Sequence, residues 1–374
     1  GPDSRRNHYR AMFPHTFGNL GLNMTENLTR YHRRSVGIWA AASAIAFGSL
    51  LSLAPFGPVA ADPALTPLVH EVTVVRATFT GSGPVTKVPS LAAIRSQVAA
   101  ASTYWSGQTG GLVSYHIVRE VGSVAVNHPG PCKADGSLEG PFMTAVATKV
   151  GFTPALGKHL IIFIPPTEAC NWSGTSDPGT ELHGGGRLVV NGASEWQVLA
   201  HELGHQMSLM HAKGLKCFSS GARVTFIREE GCETDEYQNP YSIMGDPIPG
   251  YDLPVAPGDP KSFQPGSIGA GERFLLGLLL PEGLAKTKTT VTLSPVNSSS
   301  GTQAAMFNAA NMLFVIEYRT KQGQDAKALR NISPEGVIVT QINLIERSTA
   351  LVDGDPSVNP QGDPKKGGAA VYDG

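Results

Sequence analysis

The stretch S-E-W-Q-V-L-A-H-E-L-G-H-Q-M-S-L-M-H-A, Ser194 to Ala212, decides how the rest of the chain is read. Ser194 with Gln197 three positions on is a capping-box pattern, so a helix is expected to begin there. Trp196, Leu199, Ala200, Leu203 and Met207 recur at helical spacing and form one apolar stripe. At about 100° per residue, His201 and His205 fall roughly opposite that stripe. One face therefore belongs in a core, while the two imidazoles point together into a cleft. Imidazoles so placed can hold one divalent ion, with Glu202 beside them as a base for water.

A lone H-E-x-x-H string arises by chance in on the order of one chain in a hundred of this length, so independent signals are needed. Two lie downstream. His211 stands where H-E-x-x-H-x-x-G-x-x-H places a third ligand, and Tyr241-Ser242-Ile243-Met244-Gly245 matches a methionine turn. With these, the segment resembles a metzincin metalloprotease, and within that clan the gametolysin-like peptidases and their secreted microbial relatives. The likeness is carried by H-E-L-G-H-Q-M-S-L-M-H-A at 201–212, Y-S-I-M-G at 241–245, C-N-W-S-G at 170–174 and L-V-V-N-G at 188–192. Ser208 departs from the family, which usually has glycine there because the chain leaves the helix in a conformation glycine adopts most easily. A serine held left-handed costs roughly 1–2 kcal/mol.

The resemblance implies an α/β (α+β) catalytic domain with a twisted mixed sheet and an active-site helix. It implies a zinc endopeptidase acting on protein or peptide substrates. His201, His205 and His211 would hold one Zn²⁺ and leave the fourth position for water. Glu202 would act as general base and return the proton to the leaving amine. Met244 would form an apolar floor under the imidazoles without bonding the ion. Some relatives take a tyrosine ligand after the methionine; that position here is Asp246, so Tyr241 is given no catalytic role. Calcium binding is left open.

Other readings remain. A zinc hydrolase of a non-peptide amide or ester would use the same water chemistry. A zinc-stabilised binding protein would keep the ion without turnover, although the intact Glu202 argues against it. Glu229, Glu230, Glu233 and Glu236 lie in range for a glutamate third ligand. Gly231, Cys232 and Pro240 break up that segment, so His211 is preferred and the acidic cluster reads as a solvated loop.

Of 374 residues, 41% are hydrophobic and 16% charged, enough for one large or two medium domains with a real core. The net charge of −1 asks for neither nucleic acid nor an anionic surface. Neither oligomeric state nor cleavage preference can be read. Arg30, Arg33 and Arg34, the apolar run 36–56 and Val59-Ala60-Ala61 make the three parts of a secretory signal. Cleavage is expected after Ala61, giving a secreted protein without stable membrane association. A retained anchor through 36–56 is the alternative, disfavoured because Gly37, Ser43, Gly48, Ser49 and Ser52 interrupt the run.

Cys132, Cys170, Cys217 and Cys232 allow three pairings, and none forms a C-x-x-C knuckle. Behind an export signal, disulfides are expected. Cys132–Cys170 and Cys217–Cys232 are favoured: each closes a loop beside the metal helix, and such pairs look typical of the relatives.

Strands are expected at 68–79, 112–118, 159–164 and 186–190, with helices at 91–105 and 141–150. The strand at 186–190 is either an edge on which extended substrate pairs or an internal strand. About six residues separate position 61 from the first strand, so no sizeable pro-segment is expected. Residues 213–260 read as loop-rich and 268–280 as a closing helix. Strands at 291–296, 312–319 and 336–343 suggest a β-rich region with a structural role. The expected organisation is a leader and signal over 1–61, a peptidase domain over 62–284 and a β-rich region over 285–374.

Overall fold

A computed structural model of the chain describes residues 66–132, 138–170, 172–192, 195–220, 222–224, 231–239, 241–245, 265–279, 282–283, 290–309, 312–328 and 335–352. The expected signal, Ser194, Glu229, Glu230 and Asp246 lie outside these residues.

Apolar periodicity builds the first layer in chain order: β1 (Leu68–Phe79), α1 (Leu91–Gln108), β2 (Val113–Val126), α2 (Glu139–Val150), β3 (Lys158–Ile164), β4 (Gly174–Ser176), β5 (Gly186–Asn191) and α3 (Trp196–Gln206). The strands join as β2-β1-β3-β5-β4, parallel except for β4. Leu160 to Ile164 are fully buried without alternation, the mark of a strand covered on both faces. One face packs Val75, Leu160, Ile162 and Val189 against Phe142, Met143 and Val146 of α2. Val74, Ile161, Phe163 and Leu188 point the other way and are equally buried. The indole Nε1 of Trp105 on α1 donates to the carbonyl of Ala200 at 2.9 Å, joining α1 to α3. β5 is internal; the edge is the three-residue β4, antiparallel to it, so the alternative of an edge at 186–190 is corrected.

The chain after His211 is not chiefly loop. β6 (Ala212–Ser219), β7 (Ala222–Val224) and β8 (Cys232–Asp235) lead to α4 (Ala270–Leu275), β9 (Glu282–Gly283), β10 (Ala304–Ala309), β11 (Met312–Arg319), α5 (Asp325–Ala328), β12 (Gly336–Asn343) and β13 (Ser348–Val352). Their sheet runs β7-β6-β13-β12-β11-β10-β9, with β8 added to β6. β6 pairs parallel with β13, Ala212 opposite Thr349, so one sheet crosses the boundary expected at residue 284. The fold is thus mixed α/β with two mixed sheets.

Two expected elements differ. The helix at 268–280 is confined to α4, because Gly269 is extended at its N-cap and Gly277, at φ +76°, turns left-handed just beyond it. Residues 291–296 form no strand, only a bridge from Pro295 to Tyr318; proline has no N–H to give a ladder.

Cys132–Cys170 and Cys217–Cys232 are disulfide-bonded, the pairs expected. Arg319, 1% exposed, ties the second sheet to the layer above it. Its Nε donates to Glu317 at 2.6 Å and its guanidinium lies 5.2 Å from the Tyr241 ring centroid. Glu317 accepts from the Ala270 N–H, and Glu272 from the Ser242 hydroxyl and the Gly269 N–H.

Candidate metal centre

Of the stripe read from the sequence, Leu199, Ala200, Leu203 and the C-cap Met207 are completely buried, while Trp196 in the first turn of α3 is partly exposed. Its N-cap is Glu195, with no side-chain capping bond, and Ser194 of the expected capping box lies outside the described residues. Its end is a Schellman motif: the N–H of Leu209 reaches the carbonyl of Gly204 and that of Ser208 reaches His205. Ser208 sits at φ +80°, in the place glycine usually takes, and its buried hydroxyl has no partner among the described residues.

That reversal delivers His211 beside the two helical histidines. One ring nitrogen from each of His201, His205 and His211 lies within 4.8 Å of the others, a set that one ion can bridge. Each ring spends Nδ1 on a protein acceptor. His201 donates to the Ile243 carbonyl at 2.8 Å, His205 to the Leu209 carbonyl at 2.8 Å, and His211 to the Glu236 carboxylate at 3.0 Å. A neutral imidazole that donates from Nδ1 keeps its lone pair on Nε2, the form a metal takes. Burial, reinforced by the neighbouring imidazoles, lowers the pKa of His201 to about 3 and of His205 to about 4, so both rings stay neutral.

The methionine turn lies against the helix. Met244 is fully buried, and a Cβ placed on Gly204 would meet its sulfur at 2.3 Å. The Ser242 hydroxyl accepts from the Met244 N–H at 2.9 Å, and the Ala212 N–H donates to the Met244 carbonyl at 2.9 Å. Tyr241 is 2% exposed, with the Arg319 guanidinium over its ring.

Glu202, 5% exposed, faces the edge strand. Gly174 of β4 comes so close that a Cβ there would lie 2.6 Å from Oε1 of Glu202. Burial raises the Glu202 pKa to about 8; the Ser176 hydroxyl opposes the shift and Glu139 adds to it. Glu139 also receives the Trp172 indole N–H at 3.0 Å and the Thr175 hydroxyl at 3.2 Å, so these two residues are anchored on either side of Gly174 beside Glu202.

Three features were not apparent in the sequence. Glu236, read as part of a solvated loop, holds His211, and Lys213 lies 3.2 Å from it. Tyr237 lies against the same imidazole, with ring centroids 4.1 Å apart. On the other side of α3, Nδ1 of His159 donates to Gln206, Nδ1 of His70 lies 2.8 Å from Nε2 of His159, and Nε2 of His70 lies 3.2 Å from Nδ1 of His183. Residues separated by 25 to 113 positions leave no periodic signal, so only the tertiary fold reveals these contacts.

No protein-family model matches the chain, and no curated protein matches it. Among solved structures it is similar to metalloproteinase-II from Bacteroides fragilis, with a TM-score of 0.30 and 15% identity over 40% of this chain and 45% of that one. A chaperone–substrate complex gives a TM-score of 0.24 and 13% identity over 38% of this chain and 24% of that one. The chain thus spans less than half the length of either, and at these scores the likenesses carry no argument about function.

Proposed function

We propose that this chain is a secreted, zinc-dependent endopeptidase of metzincin-like architecture. The observation that carries the reading is the commitment of all three Nδ1 atoms to protein acceptors, which leaves three Nε2 lone pairs for one ion. Three histidine nitrogens with a position to spare are the donor set of catalytic rather than closed structural zinc. Zinc bound there supplies Lewis acidity toward a carbonyl oxygen and toward water. Glu202 takes the proton from the attacking water and returns it to the leaving amine.

β4 lies beside Glu202 at the sheet edge, where an extended peptide can add as a further strand. Met244 supports the imidazoles from below, through Gly204. Two disulfides suit an oxidising compartment, which supports secretion. Among the described residues no helix is long and apolar enough to cross a membrane.

The test uses the purified chain and Glu202→Ala on a denatured protein mixture, with new peptide termini identified by mass spectrometry. Wild type is expected to generate termini that vanish with a chelator and with the alanine variant. Zinc-loaded wild type that cuts nothing overturns the peptidase reading and brings forward non-peptide amides and esters.

A further inference from the structure

His211 lies beyond the end of α3, so the helix that orients His201 and His205 does not orient it. Its orientation comes from a different part of the chain. Cys232, the first residue of β8, pairs in register with Cys217 of β6 and is disulfide-bonded to it. Just past β8, Glu236 accepts the His211 Nδ1–H at 3.0 Å. The carboxylate is itself oriented, because Lys213 Nζ sits 3.2 Å from Glu236 and 3.3 Å from Glu346. Tyr237 follows at φ +63° and lays its ring against His211, the planes inclined by 39°. A non-glycine residue held left-handed is strained and persists where its surroundings over-determine it.

We propose that Glu236 and Tyr237 are positioning residues for the third ligand, making the disulfide-stapled β6–β8 strap a determinant of metal affinity. Glu236 selects the tautomer that frees Nε2 and raises its basicity, as carboxylates behind ligating histidines do. Tyr237 restricts the tilt of the ring. Neither residue is assigned contact with substrate. The inference rests on the metal reading of the three histidines but not on peptide hydrolysis.

The experiment measures Zn²⁺ affinity of the full chain by competition with a chromophoric chelator, and records the absorption bands of the Co²⁺-loaded protein. Wild type is compared with Glu236→Ala, Glu236→Gln and Tyr237→Leu, with circular dichroism to verify folding. Glu236→Ala is expected to weaken Zn²⁺ binding by about 10–100-fold. Glu236→Gln, whose amide oxygen still accepts from Nδ1, recovers part of the loss. Tyr237→Leu shifts the Co²⁺ bands through a changed ring orientation. Unchanged affinity in Glu236→Ala, or equal losses in the alanine and glutamine variants, overturns the role given to Glu236 and leaves the metal site standing. Unchanged Co²⁺ bands in Tyr237→Leu overturn the role given to Tyr237. A folded wild type that binds no Zn²⁺ overturns the metal reading itself, and this inference with it.

Discussion

The carbonyl oxygen of Ile243 accepts a hydrogen bond from Nδ1 of His201 at 2.8 Å across 42 positions of sequence. The turn that buries Met244 therefore also sets the tautomer of His201. Gly204 is where helix and turn meet: an added Cβ would approach the Met244 sulfur at 2.3 Å and Trp105 at 3.1 Å. Gly204→Ala is expected to destabilise the fold by about 1–3 kcal/mol through overpacking. It should also lower zinc occupancy. Urea unfolding with metal analysis checks both; wild-type stability and occupancy would show that the turn gives way freely.

Ser208 makes the opposite prediction. Its φ of +80° carries the left-handed cost, roughly 1–2 kcal/mol. Glycine removes that cost but gives back roughly 0.5–1 kcal/mol of chain entropy. Ser208→Gly should therefore stabilise the protein by about 0.5–1 kcal/mol, an increase helped by losing a buried hydroxyl without a partner among the described residues. Chemical denaturation of the two proteins decides the sign.

The histidine ladder behind α3 makes stability depend on acid. Burial, with His159 and His183 alongside, lowers the His70 pKa to about 3; burial lowers that of His159 to about 4, against the opposing bond to Gln206. Both folded-state values lie below the ordinary histidine value of about 6.5, so the unfolded chain binds more protons between them. Stability is full above about pH 6.5 and falls as the pH drops toward the folded values, by about 1.4 kcal/mol per unit for each ring. Comparing His70→Asn with wild type isolates this ladder from His201, His205 and His211. The variant should show the shallower decline between pH 6 and pH 4, as read by denaturation curves across that range (about one ring's slope). Parallel declines would remove His70 from the account.

Arg319 is enclosed by Glu317 and Asp325, all three at most 2% exposed. Arg319→Met keeps much of the volume but leaves buried carboxylates without their cation, a loss of about 3–5 kcal/mol. Because Glu272 of the same group receives the Ser242 hydroxyl, the methionine turn should loosen as well. Hydrogen exchange at residues 241–245 would report this directly, and unchanged protection there would confine the effect to the second sheet.

The Cys217–Cys232 bridge closes a loop of 15 residues. Replacing both cysteines by serine should cost about 3 kcal/mol by the chain-entropy account. Thermal unfolding measures this loss.

The sequence by itself determined the elements whose logic is local. Leu199, Ala200, Leu203 and Met207 mark the buried side of α3 because a helix repeats every 3.6 residues, and the same repeat puts His201 and His205 together. The apolar runs of β1, β3 and β11 were legible because each is a short local stretch of strand-forming residues. His211 could be placed because it stands where the extended motif sets a third ligand, although Ser208 occupies the usual glycine position and the structure turns left-handed there. Tertiary structure alone decided that β4 rather than β5 is the edge, that β6 joins β13, and that Glu236 backs His211. It also assembled Arg319 with Asp325 and the Met244 turn with Gly204. These contacts form when distant segments pack on shared surfaces, and no spacing along the chain encodes which carboxylate meets which imidazole.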